Sequence, residues 1–386
     1  MAFLRASNRP SAPVRATIIV AVVLTLAAAL LALSGGSAST ASASGAGSNG
    51  NSLCYGEILA PLQNSNAAAV VNEQSNLIET TIGVGSSPTT SAYSGDGRFA
   101  FVPNYTANSV SMISTETNTV LRTLTTVHAG YMVTSSFNGG VIFLATYDQP
   151  QGQNLIERID TATGVITSSA PRTSYESDVI LSPDETRLWT IEMGYPSNLM
   201  LEFDAQSLAL LSSTPISEQP NLGGTMSLDG SKIYLTDSGG NDLPVFDTST
   251  RLVSSLVPPS VINSVGALTL SRSGTTLFAA VDFPYRFVAI NLATNTWSFG
   301  LQLDTVAQFN YLTGLAASAD DSKVFVGASA YANGGLIVLD VATPNGGSLI
   351  PLEIYNSPVA CPLTVDPDPP TPTTTATDPI PPVFSA

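Results

Sequence analysis

Two carboxylates spaced two positions apart, Glu176 and Asp178, are the side chains in this sequence best suited to binding or chemistry. Tyr131, Asn221 and Tyr311 occupy equivalent segments elsewhere in the chain. Carboxylate and amide oxygens are ligands that a hard cation such as Ca²⁺ prefers. These five residues are therefore predicted to form one ligand site, which could hold Ca²⁺. The alternative is that Asp178 is simply hydrated.

Other catalytic constellations find little support in the sequence. His128 is the single histidine, so a histidine-rich metal site is excluded, and no G-x-S-x-G segment accompanies it for a serine triad. No C-x-x-C-H haem motif is present. One G-x-G-x-x-G string, 45–50, follows no predicted strand and reflects composition. Asn104-Tyr105-Thr106 fits an N-glycosylation acceptor.

The charge balance excludes whole classes of partner. The 386 residues carry 29 acids against 13 bases, a formal net charge of −16, and the only lysines are Lys232 and Lys323. Nucleic-acid binding needs a basic surface that displaces counterions, and anionic membranes attract basic patches. We therefore expect neither partner.

The N-terminus reads as an export signal. Three arginines precede the uncharged apolar run Ala16–Leu33, and Ala41-Ser42-Ala43 resembles a cleavage site. Residues 1–43 are predicted to be a signal peptide or an uncleaved signal anchor, and 44–52 a flexible linker. Residues 369–386 are rich in Pro and Thr and are predicted to be a disordered tail. The protein is thus expected to be secreted or at the cell surface.

One unit recurs between these ends, at spacings of 42 to 47 residues. Each copy has a short strand, a tight turn, two more strands joined by a loop, a D-x-x-T-like turn and a fourth strand. The first turns are Ser94-Gly95-Asp96-Gly97, Ser136-Phe137-Asn138-Gly139, Ser182-Pro183-Asp184-Glu185, Ser227-Leu228-Asp229-Gly230, Ser271-Arg272-Ser273-Gly274 and Ser318-Ala319-Asp320-Asp321. A four-stranded repeat of this length predicts propeller blades.

The unit resembles the YVTN family of β-propeller repeats. The best copy runs from Ser87-Pro88 to Gly97, continues through Phe99–Asn104, and ends with Ser109–Thr123. The resemblance covers residues 53–368 and implies an all-β, seven-bladed propeller with four-stranded antiparallel blades. The family prefers small residues where each first strand begins, and Asp178 departs from that preference. The resemblance implies little about function.

Six first turns account for six blades, and the chain ends supply the seventh. Ile58–Leu62 and 67–82 match the second to fourth strands of a unit that lacks its first strand, while 362–368 resembles a first strand and its turn. Pairing of the N- and C-terminal strands would close the ring. Cys54 and Cys361, the only cysteines, lie beside these strands and are predicted to form a disulfide.

Two functions remain open. An exported ring without catalytic clusters favours a non-catalytic, monomeric binding scaffold for an extracellular protein or glycan. The alternative is a metal-dependent hydrolase or lactonase that uses the mouth of the central channel, where Asp178 and Glu176 are expected.

Overall fold

The computed structural model describes residues 54, 56–194, 197–217, 223–237, 239–240, 242–262, 264–282, 285–306, 311–329, 334–343, 346–352 and 358–361. This part contains 28 strands in seven four-stranded antiparallel sheets, so the predicted seven-bladed propeller is confirmed. None of the helices found there has the length and apolar character needed to cross a bilayer. The predicted leader, linker and tail (1–43, 44–52 and 369–386) lie outside the described residues.

The blades follow the chain in order, and blade 1 borrows its first strand from the C-terminal end. The strands are β1 (Glu57–Leu62), β2 (Ala67–Asn72) and β3 (Leu77–Gly83) in blade 1; β4 (Ala92–Tyr93), β5 (Phe99–Asn104), β6 (Ser109–Ser114) and β7 (Thr119–Thr125) in blade 2; β8 (Ala129–Ser135), β9 (Val141–Asp148), β10 (Gln153–Asp160) and β11 (Ile166–Ser168) in blade 3; β12 (Glu176–Leu181), β13 (Arg187–Glu192), β14 (Asn198–Asp204) and β15 (Leu210–Ser217) in blade 4; β16 (Gly224–Met226), β17 (Lys232–Leu235), β18 (Leu243–Asp247) and β19 (Val253–Leu256) in blade 5; β20 (Val265–Leu270), β21 (Thr276–Asp282), β22 (Tyr285–Asn291) and β23 (Thr296–Gln302) in blade 6; β24 (Tyr311–Ala317), β25 (Lys323–Ser329), β26 (Gly335–Asp340) and β27 (Gly347–Pro351) in blade 7; and β28 (Val359–Ala360), which joins blade 1. Three 3₁₀ turns, Gln63–Ser65, Tyr105–Ala107 and Leu303–Thr305, complete the described elements.

The first strands line the centre of the ring. They contact one another in the cyclic order β28, β4, β8, β12, β16, β20, β24 and back to β28. All of them begin on one face, here named the loop face, and end on the opposite face, named the turn face because the first turns lie there.

The core lies between neighbouring sheets. The second and third strands are buried on both sides, as β5 and β25 show, whereas β3 and β7 are mostly exposed at the rim. Between blades 7 and 1, Phe325 packs with Ile58, Ala69 and Leu336. Each sheet therefore buries its faces against its two neighbours, as sandwiched sheets do.

Serine and aspartate recur in the first turns because each closes part of the turn. The serine Oγ accepts the backbone N–H five residues later in all six turns, at 2.9–3.0 Å. Where the third residue is Asp, that hydroxyl also donates to the carboxylate, for example from Ser227 to Asp229 over 2.6 Å. These local bonds explain why four of the six first turns share the S-x-D pattern.

The fourth turn residue has positive φ in all six turns, and in blades 3 to 7 it contacts the preceding blade. Gly230 packs under Pro183, and Gly274 under Leu228. The two turns without glycine use an acid instead, since Glu185 accepts the N–H of Phe137 and Asp321 accepts that of Arg272. These contacts link the turns of blades 2 to 7 on the turn face.

Blade 1 is closed at this same turn position. Cys361 donates its N–H to the carbonyl of Glu57 (3.0 Å), as Ser94 donates to Phe99 (2.8 Å) in blade 2. Cys361 therefore takes the place of the turn serine, and its disulfide to Cys54 replaces the missing covalent turn, with the Cα atoms 5.6 Å apart. The predicted closure by the chain ends is confirmed.

The C-terminal strand lies earlier than we expected. Val359–Ala360 pairs with Ile58–Leu59, so the first strand precedes Cys361 rather than following it. Residues 362–368, where the sequence placed that strand, are outside the described residues. Polar contacts on the turn face support the closure: Arg272 donates to the Cys361 carbonyl, and Lys323 donates to the Glu73 carbonyl (2.6 Å).

Replacing both cysteines by serine is expected to lower the free energy of unfolding by up to about 5 kcal/mol, since the bond closes a loop between residues 307 apart. Urea unfolding followed by circular dichroism measures the change. Wild-type protein unfolded with a reductant present should approach the variant. An unchanged unfolding midpoint in the double variant would show that the ring closes without the bond.

Gly139→Ala is expected to cost about 1–3 kcal/mol of stability, because left-handed backbone disfavours a Cβ. Gly139 has φ +69, and its Cβ would lie 2.8 Å from Cδ2 of Phe99. Gly83→Ala is the matched control, since nothing lies within 4 Å of its Cβ. Equal unfolding midpoints for the two variants would contradict this account of the turn.

Candidate functional site

Two of the five residues predicted to form one site, Tyr131 and Glu176, come together on the loop face of blades 3 and 4, and Asp178 follows on the same strand but contacts blade 5. Tyr131 lies in β8, and Glu176 and Asp178 lie in β12. Tyr311 begins β24 in blade 7, elsewhere on the same face, and Asn221 is outside the described residues. The structure therefore describes only the part of the predicted five-residue site that lies over blades 3 and 4.

Asp178 joins two blades. It lies at a register shift between β12 and β13, and its Oδ1 accepts the N–H of Val179 (2.8 Å). Its Oδ2 accepts the N–H of Gly224 in the first strand of blade 5 (2.9 Å). Burial raises the pKa of Asp178, while the two N–H groups lower it. Backbone donors from its own strand and from blade 5 therefore hold this carboxylate in place.

Glu176 has no such support. Its side chain is 0% exposed, and neither carboxylate oxygen has a hydrogen-bond partner among the described residues. It is paired across the sheet with Glu192, which in turn forms an ion pair with Arg172. Burial raises the pKa of Glu176 to about 8; Glu192 adds to the rise and Arg172 opposes it.

Two tyrosines lie near this carboxylate, and a third lies near the two tyrosines. Tyr131 and Tyr175 stack with ring centroids 4.9 Å apart and planes 15° apart, and Tyr131 is 7% exposed whereas Tyr175 is 43% exposed. The charge of Glu176 contributes to the raised pKa of both phenols. Partial burial raises the pKa of Tyr175 to about 12, and the half-buried Tyr105 of blade 2 adds to the rise.

Two amides complete the arrangement. Asn154 accepts a hydrogen bond from the Tyr131 hydroxyl (3.3 Å), and Gln149 donates to the Tyr105 hydroxyl (3.2 Å). We name Tyr105, Tyr131, Tyr175, Asn154 and Glu176 the tyrosine cluster. It combines exposed aromatic surface with a buried acid.

His128 lies on the same face between blades 2 and 3. Its Nδ1 is 2.7 Å from Oε1 of the buried Glu157, and its Nε2 is 3.8 Å from Asp148. Within the described ranges, no three His, Cys, Asp or Glu side chains are placed to hold a metal ion. The histidine therefore caps a buried carboxylate where the chain passes between blades.

Sequence reasoning missed Tyr105, Tyr175 and Asn154. Tyr175 directly precedes Glu176, and that adjacency was an available signal. Tyr105 was noted only within a glycosylation pattern, but Asn104 is 0% exposed and its amide nitrogen donates to Ser109 and Ser111. This asparagine supports the loop that carries Tyr105.

Comparisons with known proteins inform the fold alone. No protein-family model and no curated protein matches the sequence. Hydrazine synthase of Kuenenia stuttgartiensis aligns with a TM-score of 0.60 at 15% identity over 78% of this chain and 94% of that chain. A functionally unknown protein from Desulfotomaculum acetoxidans DSM 771 aligns with a TM-score of 0.64 at 15% identity, over 79% of this chain and 99% of that chain. At such identity, similarity of fold says nothing about activity.

Glu176→Gln is expected to stabilise the protein at alkaline pH. The acid has a raised pKa in the folded state, so the wild type loses stability as pH rises from about 4.5 to about 8. The amide removes that loss, and the gain should be on the order of 2–4 kcal/mol at pH 8.5 and near zero at pH 4.5. Urea unfolding of both proteins at the two pH values tests this. A gain independent of pH would contradict a buried, protonated Glu176.

Proposed function

We propose that the protein is an exported, non-catalytic β-propeller that binds an extracellular protein or glycan through the tyrosine cluster. The observation that carries the proposal is the stacked pair of Tyr131 and half-exposed Tyr175 beside Glu176, whose two oxygens have no partner among the described residues. Exposed tyrosine offers large contact area at low entropic cost, which suits recognition surfaces.

The setting supports the same function. A leader-like N-terminus and the single disulfide fit an exported protein. The acidic surface argues against nucleic acid and against membrane contact other than through an uncleaved N-terminal segment. We expect the ring to act as a monomer.

The metal-dependent hydrolase remains the weaker alternative. Such an enzyme needs three or more side-chain ligands, and the parts of the chain that the structure describes do not bring three candidates together. Both oxygens of Asp178 accept backbone hydrogens, which leaves that carboxylate poorly suited to activating a metal-bound water.

Tyr175→Ala should weaken partner capture at least ten-fold. The exported protein is immobilised and exposed to the secreted and cell-wall fractions of its source, and wild type, Tyr175→Ala and Leu252→Ala are compared. Leu252 is 69% exposed beside the outer strand of blade 5 and controls for loss of an exposed apolar side chain. We expect at least a ten-fold loss for Tyr175→Ala alone, as for an aromatic hot spot. Equal capture by all three proteins would remove the tyrosine cluster from the binding surface.

A further inference from the structure

The tyrosine cluster contains two buried acceptor atoms without a partner. Both oxygens of Glu176 lack a hydrogen-bond partner in the described structure, and the oxygen of Asn154 accepts the Tyr131 hydroxyl while keeping a second lone pair. A ligand that brings hydrogen-bond donors would complement the Glu176 oxygens.

The charge of the site favours a positively charged ligand. Arg172 is the cation that acts on Glu176, and its guanidinium is already paired with Glu192. Ionised Glu176 therefore has no counter-charge of its own, and a buried unpaired charge is costly. A positively charged group brought by a ligand would remove that cost.

The aromatic rings supply the remaining contacts. Tyr131 and Tyr175 stack near the carboxylate, whose charge acts on both phenols, and a cation within about 6 Å of the face of such a ring is attracted by its quadrupole. Glu176 is fully buried in the free protein, so a ligand must displace a neighbour to reach it. Tyr175 is next to it in sequence and is the most exposed member of the cluster, so we place the approach there.

We propose that the group recognised by the tyrosine cluster is a protonated primary amine, held by Glu176 beside the tyrosine rings. An ammonium has three donors and no acceptor, and it would supply the hydrogen bonds that the two Glu176 oxygens lack. The amine could be a lysine side chain of a partner protein or the amino group of an amino sugar in a glycan. This inference rests on the proposed binding function and specifies its chemistry.

Release of the Glu176 proton on binding can be measured, and a ligand that only touched the tyrosine rings would not cause it. The groups acting on Glu176 are Glu192, which raises its pKa, and Arg172, which lowers it, with the phenols of Tyr131 and Tyr175 nearby. Because an ammonium binds the ionised acid, binding a lysine-bearing probe must release a proton below about pH 8. Its affinity should rise by up to about ten-fold per pH unit between pH 6 and pH 8.

The experiment uses calorimetry with two matched probe pairs. One pair is a lysine peptide and its Nε-acetylated form, and the other is a glucosamine oligomer and its N-acetylated form. We expect at least one free amine to bind ten-fold or more tightly than its acetylated partner, and the pair that responds identifies the source. The lysine peptide is also titrated at pH 6, 7 and 8.

Two variants distinguish amine binding at Glu176 from attraction of the amine to the acidic protein as a whole. Glu176→Gln should weaken amine binding at least ten-fold and abolish its pH dependence, while Glu116→Gln makes the same substitution in an exposed turn on the opposite face and should change nothing. Circular dichroism verifies that both are folded. Equal binding of free and acetylated probes, no amine binding by the wild type, or equal losses in both variants would overturn the inference. None of these results would affect partner capture that depends on Tyr175.

Discussion

Closure of the ring is the constraint on which the rest of the structure depends. Each sheet buries both faces against its neighbours, so an open row of seven blades would leave apolar faces on two end sheets and unpaired inner edges. The chain solves this by building blade 1 from both of its ends. Where the other blades have a serine turn, blade 1 has the Cys54–Cys361 bond. The tyrosine cluster needs this closure because its residues come from blades 2, 3 and 4, whose spacing the closed ring maintains.

The fold could be predicted from the sequence because each first turn is closed by hydrogen bonds between its own residues. Ser94 and Asp96 close their own turn, so the pattern can be read without knowing any distant contact. The C-terminal strand was misplaced for the same reason. Residues 366–368, Asp-Pro-Asp, imitate a turn, whereas the true turn position is held by Cys361, a residue type the pattern does not contain. Only the pairing with Glu57 reveals it.

The candidate site was harder to predict from the sequence because the groups that contact its side chains come from other blades. Glu176 and Asp178 stand two residues apart, yet one has no hydrogen-bond partner among the described residues and the other accepts an N–H from Gly224 in blade 5. The environment also separates other acidic side chains of this protein by the direction of their pKa shift. Backbone and hydroxyl donors lower the pKa of exposed Asp229 and Asp247 to about 2, whereas burial raises that of Glu57 and Glu73 to about 7.

The position of the disulfide also fixes where the described ring starts and ends. Cys54 and Cys361 are the first and last described residues, and both lie at the turn position of blade 1. The tyrosine cluster lies on the opposite face. The two ends of the described ring therefore lie side by side on the face away from the cluster.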